Sequence, residues 1–208
     1  MNRCVLIAAG PMQSPDVLKQ KLRADDYILC ADGGADNARL LGVVPDVVMG
    51  DLDSISILPK GVQIERFSPE KDDTDTMLAL RHALDLGYHS FLLLGVLGGR
   101  ADHTFANLCA LLYLTNNGAD AVIIDGGTEV YAIKNGALHL KRRPNYYISV
   151  FPFGQTACGV SEYGMQYTLE NARMEQSNPI GVSNEFQDEE AVISVREGTL
   201  LIFLCPKK

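Results

Sequence analysis

Four polar segments of the sequence contain the residue types that could do chemistry on a phosphate. They are ADGGADNA (31–38), GDLDS (50–54), KDDTD (71–75) and LGGRADH (97–103). Their closely spaced carboxylates suit a hard cation such as Mg²⁺, and Lys71 and Arg100 suit phosphate oxygens. Gly98 and Gly99 precede a helical pattern, where backbone N–H groups can approach an anion closely.

Each segment also has a purely structural explanation when it is taken alone. Asp32 could form a turn before Gly-Gly, and Asp102 could cap the helix that follows it. Asp72 and Asp75 have spacing like that of a capping box. Several carboxylates side by side, however, repel one another and are costly unless a cation neutralises them. We therefore interpret the four segments together as a magnesium–nucleotide site.

The elements that must position these segments follow from the apolar runs between them. RCVLIAA, YILCAD, DVVMGD, VQIERF, FLLLG and DAVIID are apolar without clean alternation, which is typical of strands buried on both faces of a parallel sheet. Helical patterns lie near 15–23, 34–41, 74–87 and 102–116. This alternation predicts a doubly wound, mostly parallel α/β domain over residues 1–126. Its four polar segments would meet at the carboxyl edge of the sheet.

The pattern changes after residue 126. Strand runs bounded by Gly, Asn and Pro continue to the end of the sequence, and no long helical pattern lies among them. They predict a smaller antiparallel β-sandwich domain over residues 127–208. KNGA (134–137) is typical of a hairpin, since Asn-Gly supplies the positive φ angles of a tight turn.

Composition excludes several other classes of protein. The 208 residues are 47% hydrophobic and 21% charged, which is typical of a folded globular protein. No run approaches the roughly 20 apolar residues of a membrane span, so we expect no membrane partner. A net charge of -8 argues against nucleic acid as a partner. Five widely spaced cysteines without a C-x-x-C motif indicate a reducing, cytoplasmic location.

The familiar nucleotide-binding loops are absent from the sequence. It has no G-x-x-x-x-G-K-[ST] loop, no G-x-G-x-x-G fingerprint and no protein-kinase motif set. A phosphoryl-transfer enzyme without a Walker loop is the interpretation that remains.

GDLDS, KDDTD and GGRADH in the first half, with VSNE (182–185) in the second, resemble the thiamine pyrophosphokinases of the bacterial type. The likeness covers essentially the whole chain. It implies transfer of a diphosphoryl group from ATP to the hydroxyethyl group of thiamine, giving thiamine diphosphate and AMP. It also implies Mg²⁺ and a homodimer. Its active sites would lie at the subunit interface, shared between the α/β domain of one subunit and the β domain of the other.

The resemblance also implies roles for individual residues. Those expected to hold the metal are Asp51, Asp53 and Asp75. Those expected to position the reacting groups are Lys71, Asp72 and Asp75, and either Asp72 or Asp75 would orient or deprotonate the hydroxyl. Those expected to bind ATP are Asp32, Gly33, Gly99, Arg100, Asp102 and His103. Those expected to contact thiamine are Tyr167, Ser183 and Asn184. Tyr167 lies in GMQYTL, which differs at two positions from GLKY, the motif that is more common in this family.

Three competing functions share part of this pattern. A related Mg-dependent pyrophosphokinase would act on another hydroxymethyl compound such as a pterin, because the acidic loops set the reaction rather than the acceptor. VSNE and Tyr167 favour thiamine. A nucleotide-binding regulatory module would need fewer carboxylates beside an anion. A phosphohydrolase would need no acceptor pocket.

Overall fold

A computed structural model describes residues 3–52, 55–57, 61–66 and 73–207 of the chain. These form two compact units, Met1–Gly127 and Thr128–Lys208. No helix among the described residues is long and apolar enough to cross a membrane.

The first unit alternates strands and helices. In chain order they are β1 (Cys4–Ile7), α1 (Pro15–Lys19), β2 (Tyr27–Ala31), α2 (Gly34–Leu41), β3 (Val47–Gly50), β4 (Gln63–Arg66), α3 (Asp75–Asp85), β5 (Ser90–Leu94), α4 (Ala101–Asn116) and β6 (Asp120–Asp125). The strands lie in the order β6-β5-β1-β2-β3-β4, and every neighbouring pair is parallel. The predicted doubly wound sheet is confirmed. Helix α1 is shorter than the predicted 15–23 segment.

The apolar runs form strands because the sheet is covered on both faces. β1 and β3 are buried along their whole length, and β2 and β5 are buried beyond their first residue. Helices α1 and α2 pack together, as do α3 and α4, and α2 and α3 both contact β1 and β2. β4 is an edge strand, and its side chains are half-buried or exposed.

The strand order reverses at β1. The chain adds β2, β3 and β4 on one side of β1 and then β5 and β6 on the other. The loops that follow β1 and β5 therefore diverge at the carboxyl edge of the sheet. In open α/β sheets this reversal leaves the crevice where ligands bind.

The second unit consists of eight antiparallel strands. They are β7 (Thr128–Lys134), β8 (Ala137–Lys141), β9 (Tyr146–Pro152), β10 (Ala157–Tyr163), β11 (Leu169–Met174), β12 (Gly181–Glu185), β13 (Glu190–Ser194) and β14 (Thr199–Pro206). They pair in the orders β12-β9-β14-β7 and β11-β10-β13-β8. Side chains from both groups, including Val150, Val160, Ile193 and Ile202, share one apolar core. The predicted β-sandwich is confirmed.

The predicted hairpin at KNGA is wrong in its pairing. Asn135 does adopt a positive φ of 48°. However, β7 pairs with β14 and β8 pairs with β13, so this turn joins two different sheets of the sandwich. The side chain of Asn135 explains the geometry, because its Oδ1 accepts a hydrogen bond of 2.9 Å from the N–H of Gly198, before β14.

Candidate active site

A pocket of about 390 Å³ lies at the carboxyl edge of the parallel sheet, at the strand-order reversal. The loops after β1, β2 and β5 form its walls together with the first turns of α3 and α4. The predicted residues that line it are Asp32, Asp75, Gly99, Arg100 and His103. Residues far apart in the sequence are thus brought to one cavity, as the sheet topology predicts.

The backbones after β1 and β5 touch at the floor of this pocket. The N–H of Gly10 donates to the carbonyl oxygen of Gly95 at 2.8 Å, and a Cβ at Gly10 would lie 2.4 Å from that oxygen. The side chain of Asn37 on α2 secures the β1 loop, because its Nδ2 donates to the carbonyls of Ala8 at 2.7 Å and Gly10 at 2.9 Å. The pocket floor is therefore main chain that only glycine permits.

The helices that follow β2, β4 and β5 begin at this edge of the sheet, as does α1 after β1. The N-cap of α2 is Gly33, that of α3 is Thr74 and that of α4 is Arg100. Thr74 is a side-chain cap, since its Oγ1 accepts a hydrogen bond of 3.2 Å from the N–H of Met77. The capping explanation of Asp102 is wrong, because Asp102 lies inside the first turn of α4. Helix N-termini carry partial positive charge, which favours a phosphate at this edge.

The loop after β3 packs against the loop after β2. Asp32 has a φ of 49°, and its N–H donates to the carbonyl of Met49 at 2.7 Å. A Cβ at Gly50 would lie 3.1 Å from the Cα of Asp32. Glycine at the start of GDLDS is thus explained by this close approach. It places Asp51, the next residue, beside the Asp32 loop.

Asp32 and Asp75 line this side of the pocket, and Asp51 follows β3 beside the Asp32 loop. Asp32, Asp51 and Asp75 are all half-buried. Carboxylate oxygens are the ligands that Mg²⁺ prefers, so the chemistry of the donors fits the ion. Asp53 lies outside the described residues, as do Lys71 and Asp72. Among the described residues, no three His, Cys, Asp or Glu side chains are grouped so that they could hold a metal ion.

The cationic side of the pocket is Arg100. Its Nε and Nη2 donate to Asp102 Oδ1 and Oδ2 at 3.1 and 2.6 Å. These hydrogen bonds from the guanidinium lower the pKa of Asp102 to about 2. Both side chains are exposed. Gly98 and Gly99, with φ of 73° and 65°, pack against the ring of Pro11 and so fix the loop that leads to Arg100.

Three supporting residues were missed by the sequence analysis. Asn37 holds the β1 loop as described. Asn107 on α4 holds the β5 loop, since its Nδ2 donates to the carbonyl of Val96 at 2.7 Å. Asp36 on α2 accepts a hydrogen bond of 2.9 Å from the N–H of Ser56, and this bond lowers its pKa. A polar residue in a helix that directly follows a functional loop was the signal available.

The residues predicted to contact thiamine lie together in the second unit. Tyr167 follows β10 and is 67% exposed. Ser183 is also exposed and has a φ of 60°. Between the pairs Gly181–Val150 and Asn184–Ile148, β12 has two residues where β9 has one, so Ser183 lies in a β-bulge. Bulges of this kind re-aim side chains and are frequent beside active sites.

The side chain of Asn184 is directed into the protein. It is 5% exposed. Its Oδ1 accepts from the N–H groups of Tyr167 at 3.0 Å and Glu185 at 2.9 Å. Its Nδ2 donates to the carbonyl of Tyr167 at 2.6 Å and to Glu162 Oε2 at 3.3 Å. Both donors and both acceptor positions of the amide are therefore used in hydrogen bonds within the chain.

Glu162 is a buried acid that the sequence analysis missed. Its side chain is 1% exposed on β10, and desolvation raises its pKa from 4.5 to about 7. The hydrogen bond from Asn184 acts in the opposite direction but is the smaller effect. An acid inside a run of alternating strand residues was the only available signal.

Comparisons with known proteins agree with both units. A family model described as "Thiamin pyrophosphokinase, catalytic domain" matches residues 18–124, and one described as "Thiamin pyrophosphokinase, vitamin B1 binding domain" matches residues 137–200. The chain is 28% identical to a thiamine pyrophosphokinase of Bacillus subtilis, over 97% of this chain and 98% of that protein.

Solved structures share the fold. The crystal structure of thiamine pyrophosphokinase from Bacillus subtilis matches with a TM-score of 0.89 at 23% identity, over 100% of both chains. That of thiamin pyrophosphokinase from Geobacillus thermodenitrificans matches with a TM-score of 0.85 at 24% identity. It covers 100% of this chain and 99% of the other.

Glu162 should make stability depend on pH. A carboxyl whose pKa is raised on folding stabilises the folded state fully below its unfolded pKa of 4.5, and this contribution is lost as the pH rises through about 7. Glu162→Gln should remove this loss. The free energy of unfolding of Glu162→Gln, measured with urea and circular dichroism, should therefore increase relative to that of the wild type from pH 5 to pH 8. The gain should be at most about 3 kcal/mol, at roughly 1.4 kcal/mol per pKa unit.

Glu170→Gln, which changes an exposed glutamate on β11, is the matched control and should leave the pH profile unchanged. Parallel profiles for Glu162→Gln and the wild type would contradict the proposed burial effect.

Proposed function

Because the chain belongs to the thiamin pyrophosphokinase family, we propose that it is a thiamine diphosphokinase. It transfers the diphosphoryl group of ATP to the hydroxyl of thiamine and releases AMP. The observation that carries this proposal is the pocket at the strand-order reversal, where carboxylates, Arg100 and the first turns of two helices meet. The family model for a vitamin B1 binding domain over residues 137–200 favours thiamine over a pterin as the acceptor.

We propose that the phosphates of ATP lie in this pocket. The first turns of α3 and α4 and the guanidinium of Arg100 offset their charge, and Gly99 and His103 complete the wall. Asp32, Gly33 and Asp102, which belong to the same loops, are assigned to ATP binding as well. The backbones after β1 and β5 approach each other closely at Gly10 and Gly95, so the phosphates meet a rigid floor.

The reaction is an in-line substitution at the β-phosphorus of ATP. The thiamine hydroxyl oxygen forms a bond to that phosphorus, and the bond to the oxygen bridging the α-phosphate breaks, so AMP leaves with the bridging oxygen. The hydroxyl proton passes to a carboxylate, for which Asp72 and Asp75 are the candidates. Lys71 contacts the transferred phosphates. This chemistry depends on positioning and charge neutralisation rather than a covalent enzyme intermediate.

We propose Mg²⁺ as the cofactor, held by Asp51, Asp53 and Asp75. When bound, the ion neutralises phosphate charge and orients the phosphates. On the acceptor side, the exposed ring of Tyr167 offers a face for the thiazolium cation, and Ser183 offers polar atoms at the β-bulge.

We further propose a homodimer in a reducing cytoplasm. In this dimer the α/β unit of one subunit and the β unit of the other contribute to each active site. The phosphate side and the acceptor side belong to different units of the chain, which supports this arrangement. All five cysteines are free, which suits the cytoplasm.

Direct assay tests the function. The protein, incubated with ATP, Mg²⁺ and thiamine, should form AMP and thiamine diphosphate in equal amounts, as measured by chromatography. Formation of ADP, or of AMP at the same rate without thiamine, would contradict the proposal and point to a kinase or a phosphohydrolase.

Asp51→Asn should reduce the turnover rate by at least about 100-fold, because removal of a metal ligand costs at least as much as loss of its outer-shell partners. Part of the loss should be recovered at high Mg²⁺, as measured by titrating the ion. Asp120→Asn, an exposed change at the opposite end of the sheet, is the control. Equal turnover for Asp51→Asn and the control at limiting Mg²⁺ would remove Asp51 from the metal site.

Tyr167→Ala should raise the KM for thiamine about tenfold while the KM for ATP changes less, because loss of a desolvated cation–π contact costs about 1–2 kcal/mol. Steady-state kinetics with each substrate varied in turn measures this difference. Tyr163→Ala removes another exposed tyrosine ring of the same unit and is the matched control. A larger change in the KM for ATP would place Tyr167 elsewhere in the site.

A further inference from the structure

The exposed ring of Tyr167 is carried by backbone that is not itself part of a strand. Tyr167 lies between β10 and β11, outside both. An isolated β-bridge between Met165 and Phe186 precedes it, and both backbone pairing and a side chain hold it beside β12. The N–H of Gln166 donates to the carbonyl of Glu185 at 2.9 Å, and Asn184 bonds to both the N–H and the C=O of Tyr167. The side-chain amide of Asn184 therefore bonds the backbone N–H and C=O of Tyr167, as a paired strand residue would.

This arrangement works in only one orientation of the amide. Nδ2 points at two acceptors, the carbonyl of Tyr167 and Oε2 of Glu162. Rotation of the amide by half a turn would put Oδ1 against both oxygens and Nδ2 against the N–H groups of Tyr167 and Glu185. With Glu162 ionised, every contact would then pair like with like. The carboxyl of Glu162 thus favours the orientation that holds Tyr167.

Burial of the Glu162 carboxyl at this position is unfavourable for folding. Glu162 is buried on β10, where its partners in the sheet are Leu169 and Ile193. Its Oε1 has no hydrogen-bond partner within the described part of the chain. A buried carboxyl with one unsatisfied oxygen destabilises the fold. Among the described residues its side chain is hydrogen-bonded to Asn184, and a role in orienting that amide accounts for its presence.

The same amide adjoins the β-bulge. Asn184 directly follows Ser183, whose N–H donates to Ser149 Oγ at 3.0 Å instead of to a ladder carbonyl. Ser183 and Tyr167 are the two exposed residues of the proposed acceptor side. Asn184 is joined to Ser183 by a peptide bond and to Tyr167 by hydrogen bonds.

We propose that Glu162 is a positioning residue for the acceptor, acting through Asn184 to hold Tyr167 and Ser183 where thiamine binds. The inference rests on the proposed diphosphokinase function. It assigns Asn184 to the support of the site, with its side chain turned away from the ligand. Glu162 touches no substrate, and its effect appears in acceptor binding.

Glu162→Leu tests the proposal because it removes the acceptor for Nδ2 and keeps an apolar side chain in the core. The KM for thiamine should rise about three- to tenfold, which is the effect of one lost hydrogen bond. The KM for ATP and the kcat should each change by less than about twofold. Glu162→Gln keeps an oxygen that can accept from Nδ2, and its KM for thiamine should stay near that of the wild type.

A reversed pair gives a second test should Glu162→Leu fail to fold. Asn184→Asp puts an oxygen opposite Glu162 Oε2 and the carbonyl of Tyr167, and it should raise the KM for thiamine. Adding Glu162→Gln to Asn184→Asp restores a donor–acceptor pair with the roles exchanged, so part of the KM should be recovered. Recovery by a change that is neutral alone requires the two side chains to act together.

Glu129→Gln is the control for general damage to the β unit. Glu129 is another buried carboxylate, paired with Arg143 at 2.8 Å, and its change should lower the melting temperature while the KM for thiamine stays the same. An unchanged KM in both Glu162→Leu and Asn184→Asp, with an active wild type, would overturn the positioning role. A wild type that forms no thiamine diphosphate would instead overturn the proposed function itself.

Discussion

The close approach of three backbones at the carboxyl edge of the sheet is the constraint on which the rest of the site depends. A Cβ would lie 2.0 Å from the Ile7 carbonyl at Gly34, 2.4 Å from that of Gly95 at Gly10, and 2.5 Å from that of Ala8 at Gly95. Only glycine is compatible with these distances. The result is a pocket whose floor is main chain, so a ligand there meets a rigid surface instead of mobile side chains.

In the proposed function the pocket combines carboxylates with the phosphates of ATP, and this requires nearby positive charge. The first turns of α3 and α4 supply part of it, and Arg100 supplies a full charge. Arg100 is already bonded to Asp102 through both arms of its guanidinium. Both side chains are exposed, so the pair contributes little stability. In the proposed function a bound phosphate can therefore replace Asp102 as the partner of Arg100 at small cost.

Much of the first unit could be predicted because its signals are local. The buried runs that become β1, β2, β3 and β5 are apolar throughout, and a parallel sheet puts the loops after them at one edge. The partners of Asn37 and Asn107 could not be predicted, since they are carbonyls on other elements. The hairpin prediction at KNGA was wrong for the same reason. Asn135 has the expected positive φ, but β7 pairs with β14 and β8 pairs with β13, so the two strands beside the turn do not pair with each other.

The acceptor side shows why a motif can identify a site without assigning the role of each residue. VSNE lies on the proposed acceptor side, and of its Ser-Asn pair only Ser183 presents an exposed side chain. The amide of Asn184 is buried and its hydrogen-bonding capacity is filled by Tyr167, Glu185 and Glu162. A sequence pattern does not distinguish a residue that touches the ligand from one that holds its neighbour in place. Holding an exposed aromatic ring by its backbone lowers the entropy lost when a ligand binds to it, and this favours a rigid acceptor site over a flexible loop.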